Sequence, residues 1–199
     1  YTDDLNRPGQ AYAHMVRSPH AHARIRRLDV GAAARAPGVV AVLTGKDTEA
    51  DGLGGLPCGW GITSRDGKPM IEPKWPVIAL DTVRYVGDVV AVVIAESASA
   101  AQDAAELVEV DYETRPACVA LNTAAQKGQP QVHAEAANNL CFDWDFGDKA
   151  ATDAAFAKAS HVATLELINQ RIIPHSMEPR VAIAEYERAG GKLTLYCTS

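Results

Sequence analysis

Two kinds of periodicity run through the chain. Apolar and polar residues alternate over Val181–Tyr186 and again over Lys192–Cys197, with Gly190-Gly191 between them, so the C-terminal stretch predicts two strands and a hairpin. "DVVAVVIA" (88–95) is instead a continuous apolar run. Val90, Val92 and Ile94 alternate with Val89, Ala91 and Val93, so a strand here needs cover on both faces. "LVEVDYE" (107–113) sets Val108, Val110 and Tyr112 against Glu109, Asp111 and Glu113, the pattern of a half-exposed strand.

Short helices fall between such runs. After the strand "HARIRRLDV" (22–30), Asp29 is placed to cap an Ala-rich helix from Gly31 to Ala36, which Pro37-Gly38 ends before the strand "VVAVLTG" (39–45). Ser97 or Ser99 caps a second helix, and Ser99 with Gln102 has capping-box spacing. Ala101, Ala104, Ala105 and Val108 share one face of it, small enough to lie close on a sheet. The pattern therefore predicts helices within 30–36 and 97–107 on a mixed sheet with strands near 39–43, 89–95 and 107–113. The fold class is α+β or mixed α/β, with two principal helices.

Two irregular stretches interrupt this plan. Asp51–Pro76 is rich in Gly and Pro and too long for a tight turn, which suits a surface loop covering a partner or a site. Leu121–Asp148 separates the first part from a new start, where "KAATDAAFAKAS" (149–160) predicts a helix and "HVATLELINQRI" (161–172) a strand. The expected division is a domain over 1–125, a linker over 126–148, and an incomplete second α/β domain over 149–199.

Composition narrows the function classes. At 199 residues and 47% hydrophobic, the chain can bury an ordinary core, and its net charge of −6 argues against general nucleic-acid binding. The first forty residues run the other way, with Arg7, Arg17, Arg24, Arg26, Arg27 and Arg35 against three acids. A solvated strand face explains them, with docking of an acidic partner as the alternative. Cys58, Cys118, Cys141 and Cys197 have no zinc or iron–sulfur spacing, so a reduced, cytoplasmic setting is expected. The periplasm stays open, because the chain starts without Met and a targeting segment could precede it. No apolar run approaches a membrane span.

Reactive constellations are few. His20 and His22 stand at i and i+2 and could share a metal, but no third ligand is near in sequence, and hydrogen-bonded strand histidines are the plainer reading. Gly87 in "YVGD" suits a bulge or a close backbone approach better than a phosphate cradle. Glu178 in "HSMEPR" is a candidate acid or base if buried, or half of a structural pair with Arg180, which is the favoured reading. Neither dinucleotide nor P-loop glycine motifs are present. The residues alone describe an α/β domain with no catalytic, cofactor-binding or metal-ligating set.

The order of five strings adds to this. "YTDD" (1–4), "VRSPHAHARI" (16–25), "PGVVAVLTGKD" (37–47), "VRYVGDVVAVVIAES" (83–97) and "DAAELVEVDYE" (103–113) together resemble the N-terminal α/β hammerhead domain of one family. It is the large, molybdopterin-binding subunit of the xanthine dehydrogenase and aldehyde oxidase family, which includes aerobic carbon monoxide dehydrogenase. "NQR" (169–171), "MEPR" (177–180) and "LTLY" (193–196) resemble the opening of the first molybdopterin-binding domain that follows. Asp88-Val89 stands where the family usually has Glu-Pro, and His175-Ser176-Met177 where Pro-Met is common.

The resemblance implies a piece of a molybdenum hydroxylase, missing a little in front and most of the subunit behind, with a scaffold role and no catalysis of its own. The parent would carry molybdenum–molybdopterin, in the cytosine dinucleotide form, and hydroxylate carbon with water as the oxygen source. Iron–sulfur clusters and FAD would sit on partner subunits or domains, and a homo-oligomer is possible. The competing expectation is a free-standing α/β module whose 51–76 loop grips a small ligand or a protein.

Overall fold

The structure is a computed structural model and describes residues 2–169 and 175–198. The chain forms two compact units, Ala11–Phe146 and Tyr1–Gln10 together with Gly147–Ser199. In chain order the larger unit contains β1 (Tyr12–Arg17), β2 (Ala23–Asp29), α1 (Gly31–Ala34), β3 (Val39–Thr44), α2 (Gly45–Ala50), β4 (Thr82–Val83), β5 (Val89–Ala95), α3 (Ala98–Ala105) and β6 (Glu109–Thr114). The smaller unit contributes α4 (Lys149–Lys158), β7 (Ala182–Glu187) and β8 (Lys192–Cys197).

The α/β class is present, the helices expected within 30–36 and 97–107 form over 31–34 and 98–105, and the strands expected near 39–43, 89–95 and 107–113 form over 39–44, 89–95 and 109–114. The single mixed sheet is not. The strands divide between two three-stranded sheets, ordered β1-β5-β3 and β4-β2-β6, and every pairing is antiparallel. The reason lies in the crossovers. The segments 18–22 and 84–88 each carry the chain from one sheet to the other, so neighbours in sequence do not stay neighbours in a sheet.

β5 occupies the centre of its sheet, as its unbroken apolar run requires. Val90, Ala91, Val93 and Ala95 are fully buried, whereas Val92 and Ile94 are half-buried. Its cover on one face is α3, whose contact residues Ala101 and Ala104 are both 1% exposed, so that methyl-sized side chains let helix and sheet approach closely. The Ser97 side chain caps α3 by accepting from the N–H of Ala100 at 3.1 Å. Asp29 accepts from the N–H of Gly31 at 2.9 Å, steadying the entry to α1. A second cluster lies where the sheets meet: Ala23, Ala79, Val83 and Val90 pack with Val16, Ile25, Val110 and Tyr112.

α2 was not expected from a sequence as polar as "GKDTEA". Its start is fixed by Asp47, whose carboxylate accepts from the N–H of Thr44 at 2.7 Å and from its hydroxyl at 2.6 Å. These bonds hold the Asp47 carboxyl below the usual carboxylate range. Gly45 opens the helix because a Cβ there would stand 2.6 Å from the carbonyl oxygen of Ala79.

In the smaller unit, Asp148 caps α4 by accepting from Ala151 N–H at 2.8 Å, and α4 is exposed throughout. β7 and β8 form the expected hairpin. The strand expected over 161–172 is absent at 161–169, and 170–172 lie outside the described residues. An extended run becomes a strand only when another edge takes up its backbone groups, and among the described residues none does. The hairpin is instead gripped from the chain start. Arg7 pairs with Glu185 of β7 and lays its guanidinium 4.7 Å from the ring centre of Tyr196 of β8. Among the described residues no helix is long and apolar enough to cross a membrane.

Two outcomes are expected. Val93→Ala removes two buried carbons from a fully covered site and should cost about 2–3 kcal/mol in a reversible denaturant titration, more than the half-buried Ile94 would lead one to expect per carbon. Arg7→Ala should speed amide exchange several-fold in 182–187 and 192–197 while leaving β5 unchanged, as read by hydrogen–deuterium exchange.

Candidate functional site

Two of the crossovers, 18–22 and 84–88, meet at one point of the larger unit. Ser18 N–H donates to the carbonyl of Asp88 at 2.8 Å, and Gly87 N–H donates to the carbonyl of Ser18 at 2.8 Å. Arg17 Nη1 adds a bond to the Gly87 carbonyl at 2.9 Å. Gly87 has φ of +94° and open space where a Cβ would lie, so glycine serves the turn's left-handed backbone and not a close approach. Asp88, 8% exposed, turns its carboxylate inward to accept from Arg84 N–H at 3.0 Å. Ser18, 2% exposed, bonds both N–H and C=O of His20 through its hydroxyl and lies within hydrogen-bonding reach of Tyr112. Burial raises the Tyr112 phenol above its ordinary value, and burial with the nearby Asp88 charge does the same to Tyr85.

A polar cavity of about 400 Å³ opens beside this knot, at the end of the β4-β2-β6 sheet where Ala23 pairs with Val83 and Thr114. Its wall includes His22, Thr82, Arg84, Arg115, Gln131 and Val132. Arg84 is half-buried and anchored at 3.3 Å on two carbonyls, Nε on Val132 and Nη1 on Thr82. His22 Nδ1 lies 2.8 Å from the Pro116 carbonyl. The far wall is a loop organised by Asn139. Its Oδ1 accepts from Val132 N–H at 2.8 Å, and its Nδ2 donates to the carbonyls of Ala124 and Pro130 at 2.9 and 3.0 Å. Asn138 and Asn139 both take positive φ, which asparagine tolerates better than most residues. Gln131 reinforces the loop by donating to the carbonyls of His133 and Ala136. Burial lowers the His133 pKa, helped by the positive charge of Arg84.

The candidate residues read from sequence fall apart here. His20 stacks its ring edge-on against Tyr112, 4.9 Å between centroids, while His22 faces the Pro116 carbonyl, so the two do not converge. They lie in a bend between β1 and β2 and not in a strand. Among the described residues no group of three or more His, Cys, Asp or Glu is placed to hold a metal. Glu178 lies in a bend of the smaller unit, and no ion pair to Arg180 is among those the described residues form. Of the basic start, Arg7, Arg26 and Arg27 are paired with Glu185, Glu113 and Asp29. Sequence reasoning passed over Arg84, Arg115 and Asn139, which lie far apart in the chain, Arg84 after β4, Arg115 after β6 and Asn139 in the loop beyond.

Known proteins place this architecture. Residues 1–116 match the family model described as aldehyde oxidase and xanthine dehydrogenase, a/b hammerhead domain, and residues 132–199 match that of the molybdopterin cofactor-binding domain. The chain belongs to the aldehyde oxidase and xanthine dehydrogenase family. It is 35% identical to the carbon monoxide dehydrogenase large chain of Afipia carboxidovorans and 34% identical to the nicotine 6-hydroxylase large subunit of Paenarthrobacter nicotinovorans. All of the chain aligns in both cases, against 25% and 23% of those proteins. Among solved structures, reconstituted CO dehydrogenase from Oligotropha carboxidovorans superposes with a TM-score of 0.82 at 34% identity, covering 100% of this chain and 25% of that one. Quinoline 2-oxidoreductase from Pseudomonas putida 86 superposes with a TM-score of 0.77 at 32% identity, over 99% and 24%. The chain thus spans about a quarter of the length of these relatives.

The family implies a molybdopterin, and the residues present can be tested for it. Within the part matching the cofactor-binding model, residues 149–198 offer, among those described, an exposed helix and a hairpin whose Glu185 and Tyr196 are engaged by Arg7. That set of donors does not frame the group.

The knot predicts a pH response. Because the folded-state pKa of Tyr112 is raised by burial, the stability it contributes is complete below the unfolded value of about 10 and is lost as pH rises through the folded value. Tyr112→Phe should therefore flatten the fall of the unfolding midpoint above about pH 10, leaving the slope due to Tyr85, in a series of thermal melts at fixed ionic strength.

Proposed function

We propose that the protein carrying this chain is a molybdopterin-dependent hydroxylase of the carbon monoxide dehydrogenase and xanthine dehydrogenase type, and that these residues are its scaffold. One observation carries the reading: hammerhead and cofactor-binding models match in order over 1–116 and 132–199, with all of the chain aligned to the large chain of a carbon monoxide dehydrogenase. The working division is a hammerhead domain over 1–125, a linker over 126–148 and the start of the cofactor-binding domain over 149–199.

In this reading the molybdenum sits on residues beyond those described here, in the cytosine dinucleotide form of the cofactor. When bound, it supplies the redox centre at which water oxygen is transferred to a carbon of the substrate. Electrons leave through iron–sulfur clusters to FAD on partner subunits, in a cytoplasmic complex. The chain's own contribution is bracing and contact. Its exposed apolar side chains support that role in each unit: Trp60, Trp144 and Phe146 in the larger, Leu165, Leu167 and Ile168 in the smaller.

The test compares two preparations. The whole large subunit, produced with its iron–sulfur and flavin partners, should contain stoichiometric molybdenum and pterin by metal analysis and mass spectrometry. The 199-residue chain produced alone should contain neither. Stoichiometric molybdenum or pterin on the short chain would overturn the scaffold role, and none in the full assembly would overturn the enzyme class.

A further inference from the structure

We propose that the cavity walled by His22, Arg84 and Arg115 binds a small free oxyanion, a phosphate or carboxylate group, through the two guanidiniums. This goes beyond the scaffold role and stands on the geometry of the larger unit alone.

The first support is the fixed guanidinium. Arg84 holds Nε on the Val132 carbonyl and Nη1 on the Thr82 carbonyl, and its own backbone N–H on Asp88. A guanidinium anchored at two donors presents its remaining Nη2 edge in one orientation, so a ligand need not immobilise the side chain on binding. The Nη2 amino group is left to donate a charge-assisted hydrogen bond to a phosphate or carboxylate oxygen. Arg115 brings a second, exposed guanidinium to the same wall, with its backbone N–H tied to the His22 carbonyl at 2.9 Å.

The second support is the charge balance. Among the described residues neither Arg84 nor Arg115 forms an ion pair. The carboxylates in the neighbourhood act elsewhere. Glu113 pairs first with Arg26 at 3.2 Å and feels the charge of Arg115 only secondarily, Glu135 acts on His133, and the Asp88 carboxylate accepts from a backbone N–H. A half-buried guanidinium without a counter-charge favours an anion in the space it faces. Burial lowers the His133 pKa, and the positive charge of Arg84 adds to it. A cavity of about 400 Å³ accommodates a small organic acid or phosphate and is too small for a folded partner.

The experiment titrates the purified protein with inorganic phosphate and, separately, with acetate, holding ionic strength constant with chloride. Imidazole resonances of His22 and His133 and isothermal calorimetry report binding. The expected result is saturation at one site per chain with a Kd of about 1 mM or below for at least one anion. Phosphate alone, acetate alone or both would identify the source of the oxyanion, and each supports the site. Arg115→Gln, at an exposed position that should leave the melting temperature unchanged, should weaken binding about tenfold. Arg35→Gln, next to Asp29 at α1, should leave it unchanged. Absence of saturation by either anion up to about 50 mM, or equal affinity in Arg115→Gln and the parent protein, would overturn the proposal.

Discussion

The larger unit depends on the reciprocal pair of backbone hydrogen bonds between Ser18 and the Gly87–Asp88 turn. Both sheets are small, and neither could bury its own inner face. They close on each other because the chain changes sheet between every consecutive pair of these six strands, and two of the passages, at 18–22 and at 84–88, are tied together. The tie must be paid for in buried polar groups, since crossing segments carry backbone N–H and C=O that no ladder satisfies. Ser18 and Asp88 meet that need, one through its hydroxyl on His20 and the other through its carboxylate on Arg84. No buried side-chain nitrogen or oxygen of the described residues is left without a partner. The apolar cluster of Ala23, Val83, Val90 and their neighbours then fills the space that the tie defines.

How much of this was legible in the sequence follows from which interactions are local. β5 was legible because a strand covered on both faces leaves an unbroken apolar run, and α3 because its cap and small-residue face lie within ten residues of each other. α2 left a signal that went unread: Thr44 and Asp47 have capping-box spacing with Asp in place of Glu. β1 was missed since "YAHMVR" alternates only weakly in polarity, with His14 on its half-buried face and Met15 on its exposed one. β4 has two residues, too few for any periodicity. The strand expected at 161–169 had the alternation and lacked the partner. Periodicity reports what a segment would do beside an edge; it does not report whether an edge is there.

The cavity was the least legible feature. Arg84, Arg115 and His22 are separated by up to 93 positions and share no spacing that chemistry would single out. What assembles them is the pairing of β2 with β4 and β6. The loop that meets Arg84 at Val132 is shaped by Asn139, a residue with no motif around it, which accepts from one backbone group and donates to two others across 7 to 15 positions. Family resemblance identified the scaffold and was silent on the cavity, since a resemblance carries over only matched residues. The loop at 129–139 lies largely outside the strings that carried it.

The Gly- and Pro-rich segment after α2 is irregular in backbone yet clasped in space. Ser64 and Arg65 hold Asp143 through main-chain and side-chain bonds, and Ile71 N–H donates to Cys141 at 2.8 Å. Residues far apart along the chain are thereby joined in a short two-sided clasp, with Trp60 at 76% exposure on the stretch that leads into it. A protease reaching that open stretch would nick the chain without parting it. The two pieces would stay together under native conditions and separate only in a denaturing gel.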